Sequence, residues 1–88
     1  MAAYICSIET DAIEFDQEWV ILHPDQFTVT KLNESGGLCW SLLKTEQPAE
    51  RLISELQHQY NITEDEARQD VAEFLEQMIT IGLVRHAS

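Results

Sequence analysis

Positive charge is scarce in this 88-residue chain: five lysines and arginines stand against 16 aspartates and glutamates, a formal net charge of −11. Such a balance surrounds the molecule with a negative field, which makes nucleic acid and anionic membrane poor partners. A cationic peptide or a basic protein patch would be attracted, and the same acidity also serves solubility. Cysteine is nearly absent as well. Cys6 and Cys39 lie far apart, without CxxC spacing, and Cys39 falls in an apolar run beside Trp40, where a thiol behaves as a small hydrophobe. Two reduced, structural cysteines are expected. No apolar run reaches transmembrane length, and the opening MAAYICSIET lacks the basic region and apolar core of a signal peptide. A cytoplasmic location is the expectation.

The groupings that catalysis and metal binding require are missing too. His23, His58 and His86 are scattered, with no CxxC or HExxH near them, which argues against zinc. The carboxylates Glu9, Asp11, Glu14, Asp16 and Glu18 lack the glycine turn and ligand order of a calcium loop, and read as a solvated acidic surface. Gly36-Gly37 is followed by no GK[ST] and sits among acids that would repel phosphate; it suits a close helix entry instead. No nucleophile, base and orienting group share a spacing, so neither an enzyme nor a cofactor is expected.

What remains is enough for one domain, spanning 1–88, with a thin core whose modest stability a ligand or partner would raise. No linker, repeat or low-complexity tract interrupts it. The first third has strand character at YICSI (4–8), EWVIL (18–22) and QFTVTKL (26–32), rich in β-branched and aromatic residues. Ile13 and Phe15 alternate within 11–18 and would extend a strand. His23-Pro24-Asp25 makes a tight connection, so the second and third strands should pair as a hairpin.

From Asn33 the apolar period becomes helical. Leu38, Cys39, Leu42 and Leu43 share a face flanked by Trp40, with Asn33 or Ser35 available as N-cap. A second helix begins near Pro48 and carries Leu52, Ile53, Leu56 and Tyr60. A third opens on the capping-box pattern Thr63-Glu64-Asp65-Glu66 and ends near Gly82. On it, Ala67, Val71, Leu75, Met78 and Ile79 form one apolar band, which Phe74 and Ile81 widen toward Asp70 and Gln77. Either that wide stripe borders a groove beside the strands or the helix is sunk deeply in the core; periodicity alone leaves both open.

Three strands followed by three helices give an α+β fold, a three-stranded antiparallel sheet followed by three helices in a winged helix-turn-helix-like arrangement. A DNA-binding role is disfavoured by charge. Between Asn61 and Ile81 six carboxylates (Glu64, Asp65, Glu66, Asp70, Glu73, Glu76) face one arginine, Arg68, where a recognition helix needs the opposite.

The run KLNESGGLCWSLL followed by QPAERLISELQHQYNITEDEARQDVAEFLEQMITIGLV resembles the PqqD-like family, or RiPP recognition elements. The likeness spans about residues 20 to 84 and is carried by Leu32, Asn33, Gly36, Trp40, Leu42, Leu43, Asp70, Val71, Leu75, Gly82 and Leu83. The chain looks most like the free-standing leader-binding proteins of lasso peptide biosynthesis, with the peptide chaperones of quinone cofactor biosynthesis as close relatives. This resemblance implies a non-catalytic adaptor that holds the leader segment of a precursor peptide as an added strand and presents it to a leader protease and a cyclase. It also implies the binding residues. Carried onto this sequence, they are Phe27, Thr28, Val29, Thr30 and Lys31 on the third strand, and Asp70, Val71, Phe74, Gln77 and Met78 on the third helix. Where relatives often place an aromatic residue shortly before the leucine-asparagine pair, this chain has Thr28, Val29 and Thr30, with Phe27 further back.

Overall fold

A computed structural model describes residues 2–8, 12–16 and 18–87. In chain order the elements are β1 (Ala3–Cys6), β2 (Ile13–Phe15), β3 (Glu18–His23), β4 (Thr28–Leu32), α1 (Glu34–Leu42), β5 (Gln47–Pro48), α2 (Ala49–Tyr60), α3 (Glu64–Thr80) and β6 (Val84–His86). The strands form two antiparallel sheets of three, ordered β2-β3-β4 and β5-β1-β6. An α+β fold with antiparallel sheets and three helices is therefore present, and the hairpin expected between the second and third strands is β3–β4, in register from Trp19 opposite Leu32 to His23 opposite Thr28.

The membership of the sheet differs from the sequence expectation. The segment at 13–15 becomes the third strand beside β3, with Ile13 opposite Val20 and Phe15 opposite Glu18. β1 leaves for the other end of the molecule, pairing with β5 and β6. Locality explains the exchange. β2 lies next to β3 in sequence, with Asp16 after it in the left-handed region (φ 53°), whereas β1 packs Tyr4 and Cys6 against the buried core.

Each helix starts where its capping chemistry allows. Asn33 Oδ1 accepts the Gly36 N–H at 2.8 Å and the Ser35 hydroxyl at 2.9 Å, so Asn33 is the α1 cap. At α3, Thr63 Oγ1 accepts the Glu66 N–H at 3.1 Å, but the Glu66 carboxylate accepts a hydrogen bond from the Thr63 hydroxyl rather than from a free amide. Gly82 (φ 83°) ends α3: its N–H bonds to Ile79 O and the Leu83 N–H to Met78 O, the paired bonds of a Schellman motif.

The core is a single cluster in which Ile21, Trp40, Leu43, Leu52, Leu56 and Met78 are completely buried. Gly37 joins sheet to helix. A Cβ there would stand 2.5 Å from the indole of Trp19, so only glycine lets α1 lie this close against β3. Cys39 is buried and Cys6 half-buried, both free thiols; burial pushes them up to about 12 and about 11 respectively, with the Asp70 charge adding to the first and Lys44 opposing the second.

Candidate functional site

The β2-β3-β4 order leaves β4 with one long side unpaired among the described residues. Alternate N–H and C=O groups of such a strand point outward, ready for another extended chain. Side chains of β4 alternate likewise. Thr30 is half-buried and Leu32 buried on the helix side, while Val29 and Lys31 stand exposed on the outer face. Lys31 Nζ lies 3.9 Å from Glu18 Oε2 across that face, a solvent-exposed pair of small energetic weight. Ile13, Phe15 and Leu22 are exposed too, so among the described residues the outer face is open and largely apolar.

Beside β4 runs α3, and between them lie two clefts. One, of about 210 Å³, is bounded by Lys31 and Asn33 from the strand side and by Asp70, Glu73, Phe74 and Gln77 from the helix. The other, of about 510 Å³, lies between Thr28, Val29 and Thr30 and the helix end at Thr80, Ile81 and Leu83. The wall is thus an α3 row at 70, 73, 74, 77, 80 and 81, a spacing of three and four that keeps one helix face toward the strand. Its upper part is acidic and its floor, at Phe74, Leu56 and Cys39, apolar.

The residues expected from sequence are therefore distributed unevenly. Thr28, Val29, Thr30, Lys31, Asp70, Phe74 and Gln77 all line a cleft. Phe27 sits at the hairpin tip, 90% exposed. Val71 and Met78 do not line either cleft. They are 1% and 0% exposed and belong to the core, behind the wall. The reason is rotational: Asp70, Phe74 and Gln77 each precede a core residue (Val71, Leu75, Met78) by one position, and one position turns the side chain by about 100°. Both readings of the wide stripe hold in part, since α3 is sunk in the core on one face and borders a groove on the next. Glu73 and Thr80 were not singled out by sequence, although their spacing from Asp70 and Gln77 carries the signal. Phe74 serves both sides, lining the cleft while only 8% exposed.

Among the described residues no cluster of three or more His, Cys, Asp or Glu is placed to hold a metal, and no helix is long and apolar enough to cross a membrane.

Residues 18–84 match the family model described as Coenzyme PQQ synthesis protein D (PqqD). The fold is shared with the solved structure "TbiB1 in Complex with the TbiA(beta) Leader Peptide", at a TM-score of 0.77 and 23% identity over 92% of this chain and 94% of that one. At that identity the likeness is one of fold. No curated protein sequence matches.

Proposed function

This chain belongs to the PqqD family, its match covering residues 18–84, and from that premise we propose that it is a non-catalytic adaptor for a precursor peptide, binding the leader segment as a fourth strand on β4. The observation that carries this reading is the unpaired long side of β4 running beside the α3 wall. The structurally similar protein is itself in complex with a leader peptide, which supports the same class of ligand here.

The mechanism is strand addition. Backbone hydrogen bonds along β4 give the peptide its register, and every second side chain descends into the clefts, where Phe74, Ile81 and the Asp70–Glu73–Gln77 row select it. Two or three apolar side chains buried at about 1.5–3 kcal/mol each must offset about 2–5 kcal/mol for ordering the peptide. Backbone bonds and charge then bring the total near the −8 kcal/mol or so of micromolar binding. Such a complex is reversible, as an adaptor that hands its peptide onward needs to be.

The partners in this reading are the leader, a leader protease and a cyclase, in lasso peptide biosynthesis within the cytoplasm. The open, largely apolar outer face of β2-β3-β4 supports contact with a larger protein, because exposed patches of this kind mark association surfaces. The description of the matched family favours a second pathway, peptide chaperoning in quinone cofactor synthesis. Fluorescence titration with synthetic leaders from the two pathways tests both: micromolar binding of one and not the other assigns the pathway, and binding of neither removes the adaptor role.

A further inference from the structure

The hairpin that leads into β4 ends on a residue in the left-handed region, and the chain meets that demand with phenylalanine rather than glycine. Phe27 has φ 54° and a solvent-exposed ring, so its own side chain does nothing to keep it there. The hydrogen bonds of the turn show what does. Pro24 has no N–H, and every backbone N–H that residues 24–27 possess is given to one residue, His23. The amides of Asp25 and Gln26 both donate to its Nδ1, at 3.2 Å each, and the Phe27 amide donates to its carbonyl at 2.9 Å. The imidazole is buried, on the residue paired across the strands with Thr28, the first residue of β4. An Nδ1 that accepts belongs to the tautomer with its proton on Nε2.

We propose that His23 is a positioning residue for peptide capture: its ring acceptor fixes the 24–27 turn, and the turn sets the start and phase of the β4 edge. The proposal rests on the leader-binding reading. One position of slip along β4 would exchange its two faces, carrying Thr28 and Thr30 away from the cleft closed by Thr80 and Ile81. With the acceptor gone, two turn amides go to water, Phe27 relaxes out of the left-handed region, and the peptide must order the beginning of the edge itself as it binds. His23 touches no peptide in this scheme; it acts through the turn.

Two substitutions separate this role from packing. His23→Asn keeps an acceptor, since an asparagine side chain bonds backbone amides two residues on in the same manner. His23→Phe keeps the ring and loses the acceptor. The readouts are hydrogen exchange at the Asp25 and Gln26 amides, and titration with a fluorescein-labelled synthetic peptide of the leader encoded beside this chain. The phenylalanine variant should lose protection at both amides and weaken binding about tenfold, equivalent to about 1.4 kcal/mol. The asparagine variant should keep protection and stay within about threefold of wild type, a gap of about 0.65 kcal/mol by the same conversion. Wild-type exchange and affinity in His23→Phe, or equal losses in both variants, overturn the proposal. If His23→Phe does not fold, His23→Val takes its place under the same criteria. A wild-type protein that binds no leader overturns the adaptor reading and the capture role together, whereas a binding wild type with an indifferent His23→Phe overturns the role of His23 alone.

Discussion

The two sheets have the same strand number and opposite construction. The β2-β3-β4 sheet is a local meander, its strands following one another within residues 13–32. The β5-β1-β6 sheet gathers segments from residues 3–6, 47–48 and 84–86, and is tied further by Ser7 N–H to Leu83 O, Cys6 N–H to Leu43 O and Ala87 N–H to Ala3 O. The meander is free to offer an edge, because its turns already hold it in register. The end sheet closes a chain into a ring of long-range contacts, and its work is stability. A fold of this size divides the two tasks spatially, so damage to one sheet should read out differently from damage to the other.

The largest effect is expected from the end sheet. Val84→Ala truncates a β6 side chain that is 2% exposed and should cost about 1.5–3 kcal/mol in urea unfolding, while the fraction still folded binds leader with unchanged affinity. A matching loss of affinity per folded molecule would mean that the two sheets are not separable.

Proline on the meander edge should do the reverse. Val29 and Thr30 are consecutive, so one of them directs its N–H toward the incoming strand and the other toward β3. Of Val29→Pro and Thr30→Pro, the first kind should abolish peptide binding, by tenfold or more (about 1.4 kcal/mol), with the fold intact; the second should loosen the hairpin. Two folded variants with wild-type affinity in titration would take the peptide off β4.

Charge on the wall gives a smaller difference. Asp70→Asn should weaken a leader that carries lysine or arginine by about 0.2–1 kcal/mol and flatten the dependence of its affinity on salt. Identical wild-type affinities at about 0.05 M and about 0.5 M salt, between which screening tightens severalfold, contradict a charge-guided groove.

The smallest effect belongs to the thiols. Raised to about 11 for Cys6 and about 12 for Cys39, they stay protonated in the folded chain at pH values where an unfolded thiol ionises. Their contribution to stability is full below the unfolded thiol value near 9 and declines as pH rises from there through the folded values. Alkylation with iodoacetamide at mildly alkaline pH should therefore be slow in the native protein and rapid after denaturation. Equal rates would show that burial does not protect these sulfurs.

The meander's hairpin, the three helices and their ends were legible because their signals are local: β-branched runs, capping side chains at Asn33 and Thr63, and a glycine at 82. β5 and β6 were not. Two or three residues carry no period, and Gln47-Pro48 becomes strand only because β1 arrives beside it. At the candidate site, β4 and the Asp70–Phe74–Gln77 row were readable from composition and resemblance. Val71 and Met78 went to the wall by the same reasoning, yet a helix stripe wide enough to serve two surfaces does not announce where one ends. Burial divides them, assigning each residue to the core or the cleft.

By itself, then, the sequence determined the three helices with their ends, the β3–β4 hairpin and the acid excess, since each of these depends on residue type and short spacing. Tertiary structure decided which strand joins which sheet, which α3 residues face the cleft rather than the core, and that His23 spends its ring on a turn. Those outcomes depend on which distant segments share the limited buried space around Trp40, and on backbone amides whose partners are chosen only once the chain has closed upon itself.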